Sequence, residues 1–105
     1  MIKLMNSAMM PQPGHYELVA ITKEQFVGIL RDAGAVDSYV GYPQTAEFVQ
    51  RISGVQVEVS RRQTVLTDGE RVLVVKLAYR PQDANSKGQP VNENDYEFFL
   101  IRYTA

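Results

Sequence analysis

The sequence predicts an α/β fold, with residues 1–105 forming a single domain around a mixed five-stranded sheet and two main helices. The length of 105 residues suits one domain with a modest core. Two segments carry the apolar spacing of helices, and each stops at a glycine, Gly34 and Gly54. Stretches rich in β-branched and aromatic residues surround them and predict the order β-β-α-α-β-β-β. Helices on one face would leave apolar sheet surface to bury, which favours a homodimer.

The first half of the chain begins with two predicted strands. Residues 2–7, IKLMNS, form an apolar run that ends in turn-forming residues. Pro11, Pro13 and Gly14 then interrupt regular structure. Residues 15–21, HYELVAI, alternate in polarity and predict a second strand, antiparallel to the first.

The first helix is predicted from its cap. Thr22 and Gln25 have the spacing of a capping box, in which each side chain bonds the other residue's backbone amide. The helix is expected to run to about Ala33, with an apolar face formed by Phe26, Ile29 and Leu30. Residues 38–40 are expected to be a short extended link.

The second helix has the clearest local signals. Pro43 suits the first helical position, where its missing N–H costs nothing. Gly54 is a natural left-handed terminator. Between them a buried stripe is predicted at helical spacing, formed by Thr45, Phe48, Val49 and Ile52.

The second half is predicted to be mostly strand. Residues 55–59 alternate but are short, and are expected to be a connecting edge. Residues 63–79 are typical of a hairpin, because Asp68-Gly69 fits a type I′ turn between β-rich runs. Residues 80–94 are polar and predict a loop long enough to suggest function. Residues 96–103 predict the final strand.

Composition excludes several classes of function. The formal net charge is −1 with a pI near 5.8, so no global field favours genomic DNA or an anionic membrane. With no cysteine and a single histidine, we expect no disulfide, no metal site and no cofactor. No apolar run approaches the ~20 residues of a membrane span. The expected location is therefore the cytoplasm, without membrane contact.

The turn before the second helix is the first candidate binding site. A helix N-terminus presents unpaired N–H groups and a positive dipole end, which attract phosphate. After Pro43, the amides of Gln44 and Thr45 are expected to face outward, and Tyr42 is expected to point toward anything bound there. The alternative is an exposed tyrosine that only fastens the turn to the first strand.

Cations near the predicted hairpin form the second candidate. Arg61 and Arg62 lie at its entry and Arg80 at its exit, so their guanidinium groups could converge on one anion. Tyr79 offers a surface on which a base could stack. The alternative is a solvated rim in which these arginines pair with Glu58 or Glu70.

The sequence allows more than one role for two further residues, Asp83 and His15. Asp83 could orient Arg80 or position a ribose hydroxyl. His15 lies alone in a Pro/Gly-rich turn, where it is either a proton carrier or without a role in the chemistry.

Three segments together resemble the viral ring nuclease family, also called the type III anti-CRISPR family: LMNSAMMP (4–11), VGYPQTAEFVQRISGV (40–55) and SRRQTVLTDGERVLVVKLAYR (60–80). The resemblance covers nearly the whole chain except residues 81–95. It implies a small dimeric α/β protein of a virus, phage or mobile element that acts in the host cytoplasm. It also implies metal-independent cleavage of cyclic tetra-adenylate, bound in a cleft across the dimer.

The resemblance assigns roles by position. Arg61 and Arg80 correspond to arginines that hold the ligand, and Asp83 to the acidic residue after the second of them. Asn6 and Ser7 correspond to a turn that lies against the ribose, and the helix opening at Gln44 and Thr45 is retained. The family's general acid is a histidine in a G-His-x-x-T pattern, and Tyr42 stands in its place.

That substitution leaves three hypotheses. A phenol with a pKa of about 10 donates a proton at neutral pH far less readily than an imidazolium near 6.5. The first hypothesis, which we favour, is that the chain binds and sequesters a cyclic oligonucleotide. The second is slow or differently tuned phosphodiesterase activity with Tyr42, or a partner's His15, as the acid and with Asp83 retained. The third is a protein-interaction module without a small ligand.

Overall fold

The fold was obtained as a computed structural model, which describes residues 2–6, 12–62, 65–77 and 95–105. It is a single α/β layer structure with a five-stranded mixed sheet and two helices, which confirms the predicted fold class. The elements in chain order are β1 (Ile2–Met5), β2 (His15–Ile21), α1 (Lys23–Ala33), β3 (Val36–Tyr39), α2 (Pro43–Ser53), β4 (Arg71–Leu77) and β5 (Tyr96–Thr104).

The sheet has the strand order β2-β5-β4-β1-β3. Strand β1 lies between two parallel neighbours, β3 and β4, with Met5 opposite Tyr39 on one side and Val74 on the other. Strand β5 is antiparallel to both β4 and β2. Because β1, β3 and β4 run in the same direction, their carboxyl ends meet at one edge of the sheet.

The predicted pairing of the first two strands is wrong. Strand β2 pairs with β5 at the far edge, from His15 opposite Thr104 to Ile21 opposite Phe98, and it runs in the same direction as β1. The position beside β1 is taken by β4, whose residues 72–75 are fully buried. A strand that is apolar on both faces gains most from a central place, whereas the largely exposed β2 suits an edge.

Residues 36–39 form a strand, where only an extended link over residues 38–40 was expected. Asp37 and Ser38 are poor strand formers, so local propensity hides this element. Pairing with β1 compensates, and the Ser38 hydroxyl donates to the carbonyl of Glu58 beyond the outer side of the strand. Tertiary context therefore decides the conformation here.

The predicted hairpin over residues 63–79 is also wrong. Both strands that flank β4 are distant in sequence, β1 and β5, and the described residues 65–67 are not part of the sheet. The turn is not type I′, because Gly69 has φ +81° while Asp68 has a negative φ. The Glu70 amide donates to the Thr67 carbonyl at 3.0 Å, as in a type II turn. Residues 55–59 are not a strand, and only Val59 forms a bridge, to Val40.

Two apolar clusters hold the layers together. Both helices lie on one face of the sheet, where Phe26 of α1 and Phe48 of α2 enter the same cluster as Leu73 and Phe98. The other face carries a smaller buried cluster, formed by Leu66, Val72, Val74, Ile101 and Tyr103. The prediction that the helices share a face is confirmed. Among the described residues, no helix has the length and apolar character that a membrane span requires.

The predicted capping box of α1 is present and gives a first testable prediction. The Gln25 amide donates to Thr22 Oγ1 at 3.1 Å, and the Thr22 amide donates to Gln25 Oε1 at 2.9 Å. Thr22→Ala should lower the free energy of unfolding by about 1 kcal/mol, because an amide of the first turn loses its acceptor. Urea denaturation followed by circular dichroism measures this change. The free energy of unfolding of Thr22→Ser should stay near the wild-type value. An equal decrease in both variants would contradict the capping role.

Candidate functional site

The candidate site lies where the parallel strands end. Asn6 follows β1, the turn at Gly41 and Tyr42 follows β3 by two residues, and β4 ends nearby at Leu77. Helix α2 begins directly after that turn. In open α/β sheets the carboxyl ends of parallel strands commonly form the ligand site, because loops and helix N-termini meet there.

The N-terminus of α2 lacks a side-chain cap. Tyr42 is the N-cap residue with extended backbone angles, φ −111° and ψ 122°, and its side chain makes no capping hydrogen bond. Pro43 occupies the first helical turn, and the first backbone bond of the helix runs from the Ala46 amide to the Tyr42 carbonyl at 3.1 Å. In the described part of the chain, the amide of the exposed Gln44 is therefore left for an anion, whereas Thr45 is a buried residue.

Thr45 is oriented differently from its neighbour. The whole residue is 2% exposed, and its hydroxyl lies 3.3 Å from the hydroxyl of Tyr96. Tyr96 in turn stacks on Phe48, with ring centroids 4.2 Å apart. Thr45 thus fixes the first turn of α2 to the start of β5, and its contact with a ligand stays a prediction.

Gly41 is the point at which separate parts of the chain meet. Its amide donates to Asn6 Oδ1 at 3.4 Å, which joins the end of β1 to the turn. Its carbonyl accepts from Arg61 Nε at 3.3 Å, and a Cβ at this position would lie only 3.3 Å from Arg61 Cγ. Any larger residue here would require the Arg61 side chain to shift by a few tenths of an ångström. The structure therefore places Asn6, Arg61 and the opening of α2 around one residue.

Arg62 makes different contacts from Arg61. Its terminal nitrogen Nη2 donates to Asp37 Oδ1 at 3.0 Å and to the Ser38 carbonyl at 3.2 Å. Its guanidinium lies 4.8 Å from the ring centroid of Tyr39. Arg62 thus pairs with Asp37, not with Glu58 or Glu70, and the two adjacent arginines are separated in role.

A family model described as STIV B116-like matches residues 2–102 of the chain. The chain belongs to this STIV B116-like family. The structure of B116 of Sulfolobus turreted icosahedral virus is similar to it, with a TM-score of 0.69, 14% identity and coverage of 95% of this chain and 97% of B116. A relative from Bacillus subtilis (strain 168), the "Uncharacterized protein YddF", is 24% identical over 102 residues, covering 95% of this chain and 94% of YddF.

In this B116-like chain, four predicted site residues, Ser7, Tyr79, Arg80 and Asp83, lie outside the described residues. Their roles stay predictions. The strand that precedes three of them, β4, ends at Leu77, beside the start of β5. Among the described residues, no group of three histidine, cysteine, aspartate or glutamate side chains is arranged to hold a metal ion.

His15 lies far from this site within one subunit. It opens β2, opposite Thr104, at the end of the sheet where β1 and β4 begin. Four strand spacings separate β2 from β3, a lateral distance of about 19 Å. His15 therefore does not meet Tyr42 in the same chain, and a contribution from a partner's His15 stays a prediction.

Sequence reasoning missed the contacts that Asp37, Tyr39 and Gly41 make at the candidate site of this B116-like chain. Asp37 and Tyr39 lie on the same face of β3, a strand that was not predicted. The sequence therefore offered no sign that both contact Arg62. The Tyr39 hydroxyl donates to Asp37 Oδ2 at 2.8 Å. The available signal was the pair of consecutive arginines, since neighbours in an extended chain point to opposite sides.

Proposed function

We propose that this chain is a counter-defence, anti-CRISPR type protein that binds a cyclic oligonucleotide second messenger, a cyclic oligoadenylate or a related ring. The ligand lies in a cleft shared by the two subunits of a homodimer. The observation that carries the proposal is the placement of Arg61 across Gly41, beside Asn6 and the uncapped N-terminus of α2.

The chemistry of this arrangement suits phosphate. Backbone amides at a helix N-terminus and a guanidinium both donate to anionic oxygen, and the helix dipole adds positive potential. In the described part of the chain, the one hydrogen bond of the exposed Arg61 side chain is made by Nε, so its terminal nitrogens remain for a ligand. With a net charge of −1, attraction for a nucleotide has to be local.

Membership of the STIV B116-like family supports the fold-level part of the proposal. The proposed ligand and the shared cleft rest on the resemblance to viral ring nucleases and on the chemistry of the site. Because the resemblance is to proteins that cleave cyclic tetra-adenylate, this nucleotide is the first ligand to test. Arg80, Asp83, Tyr79 and Ser7 complete the proposed site.

Binding without rapid cleavage is favoured by the residue at position 42. In the reaction of viral ring nucleases, a ribose 2′-hydroxyl attacks the adjacent phosphate, and the leaving 5′ oxygen takes a proton from a general acid. Tyr42 occupies the N-cap of α2, and the resemblance assigns the proton donor of viral ring nucleases to this position. A phenol is in general a poorer general acid than an imidazolium, so the cyclic nucleotide is expected to stay intact.

One experiment separates binding from cleavage. Cyclic di-, tri- and tetra-nucleotides are titrated calorimetrically and then incubated with excess protein for hours before chromatography. We expect at least one cyclic nucleotide to bind with a Kd below the high micromolar range and to be recovered intact. Linear product would instead support the phosphodiesterase alternative. No binding by any ring would contradict the proposal.

The shared cleft requires a dimer, which sedimentation equilibrium measures directly. The mass should correspond to two chains, and the calorimetric stoichiometry to one ring per two chains. A stoichiometry of one ring per chain on a monomer would contradict the shared cleft while leaving ligand binding in place.

A further inference from the structure

We propose that Arg62, held by Asp37 and Tyr39, is a positioning residue that places Arg61 at the ligand-facing turn. Arg62 itself does not contact the ligand. The inference rests on the proposed function of Arg61 as an anion-binding residue, and it assigns a role to three residues on the outer side of β3.

The segment that carries both arginines has little structure of its own. Residues 55–62 form neither a helix nor a strand, and among the described residues one bridge, between Val59 and Val40, joins them to the residue that follows β3. The Ser60 amide donates to the Val40 carbonyl at 2.8 Å, and the Ser38 hydroxyl donates to the Glu58 carbonyl. So few backbone bonds leave the end of the segment dependent on side-chain contacts.

Arg62 supplies those contacts. Its Nε donates to Ser60 Oγ at 2.8 Å within the segment, while its Nη2 donates to Asp37 and to the Ser38 carbonyl on β3. The planar group also lies over the ring of Tyr39. An arginine fixed by several directed bonds and a ring contact has little freedom to follow a ligand.

Asp37 is itself held in place by two groups. One carboxylate oxygen accepts from Arg62 and the other accepts from the Tyr39 hydroxyl at 2.8 Å. Its side chain is 26% exposed, against 61% for that of Arg62. The carboxylate and the phenol thus form a fixed support on which Arg62 rests.

Arg61 depends on this support because its own contact is weak. Its hydrogen bond to the Gly41 carbonyl is 3.3 Å long, near the limit for an N–H to oxygen bond. Consecutive side chains of an extended segment project to opposite sides. Holding Arg62 against Tyr39 therefore directs Arg61 toward Gly41 and the opening of α2.

Asp37→Asn separates a positioning role from direct contact by the sign of its effect. If Arg62 bound the anion itself, removing the carboxylate would free Arg62 and tighten the binding of cyclic tetra-adenylate. A positioning role predicts weaker binding, on the order of tenfold, because Arg61 loses its place. Glu58→Gln is the matched control, because it removes one negative charge at an exposed side chain of the neighbouring segment 55–62. The affinity of this variant should stay within about twofold of wild type.

A measurement without ligand keeps this test independent of the proposed function. Side-chain Nε–H signals of Arg61 and Arg62 are assigned by NMR with Arg61→Lys and Arg62→Lys variants. In Asp37→Asn both signals should shift, and the same is expected in Tyr39→Phe, which keeps the ring and loses the hydroxyl. A shift confined to Arg62, or tighter nucleotide binding by Asp37→Asn, would overturn the proposal. If wild type binds no nucleotide, the proposed function fails while the NMR result still decides whether Arg62 positions Arg61.

Discussion

Tyr42→His should cleave cyclic tetra-adenylate about 10²–10⁴-fold faster than the wild-type chain, because a matched general acid typically contributes that factor. Imidazolium groups are in general far better proton donors at neutral pH than phenols, which is why histidine is the commoner general acid. The new side chain would stand at the N-cap of α2, beside the first-turn amides and one residue from Gly41. Single-turnover assays with protein in excess, followed by chromatography of the nucleotide, measure the rate.

The control for this variant is Tyr42→Phe, which keeps the ring and removes the hydroxyl. It should bind the nucleotide and leave it intact. If Tyr42→His binds as the wild type does but gains no cleavage, position 42 does not face the reacting bond. If the wild type cleaves and Tyr42→Phe does not, Tyr42 is an active acid and the sequestration proposal is wrong.

Phe48→Ala should lower the free energy of unfolding by about 3–5 kcal/mol, the usual cost of emptying a buried aromatic site. Phe48 is 3% exposed and stacks on Tyr96, with nearly parallel rings 8° apart in orientation. Phe98 lies next to it, with ring centroids 6.3 Å apart. The ring therefore joins α2 to β5, and its loss removes a large part of the 5–15 kcal/mol by which domains are usually stable.

Urea denaturation followed by circular dichroism measures the effect of Phe48→Ala. The neighbouring Glu47→Ala is a suitable control, because Glu47 is exposed on the same helix and should change stability by no more than about 0.5 kcal/mol. A loss below about 1 kcal/mol for Phe48→Ala would show that the contact with β5 does not hold α2 in place.

The helices were predictable because their signals are local. The capping box of α1 and the Pro43 and Gly54 boundaries of α2 depend on residues within a few positions of one another. The structure places both helices within those limits. Gly54 has the expected left-handed conformation, with φ +73°.

The strand order was not predictable in the same way because it depends on competition between distant segments. Asp68-Gly69 indicated a local hairpin, yet β4 gains more from a central position between β1 and β5. The short β3 contains Asp37 and Ser38 and carries no strand signal of its own. Its conformation follows from pairing with β1, a contact that spans more than thirty residues of sequence.

The candidate site was predictable in residue type more than in arrangement. The sequence indicated a helix N-terminus and nearby arginines, and the structure places Arg61 across Gly41 beside Asn6. The residue pattern by itself did not distinguish Arg61 from Arg62, and only the resemblance singled out Arg61, because the difference in their contacts arises from Asp37 on a strand that the sequence conceals. The predicted buried stripe of α2 correctly included Thr45, and only its contact with the Tyr96 hydroxyl was not predictable.

Calorimetric titration of cyclic tetra-adenylate into wild type, Arg61→Ala and Arg71→Ala tests the central claim most directly. Arg71 is an exposed arginine at the start of β4, at the opposite end of the sheet, so it matches the charge change without touching the site. We expect Arg71→Ala to bind as wild type does and Arg61→Ala to bind at least about tenfold more weakly. Equal affinities in all three proteins, or no binding by the wild type, would contradict the account.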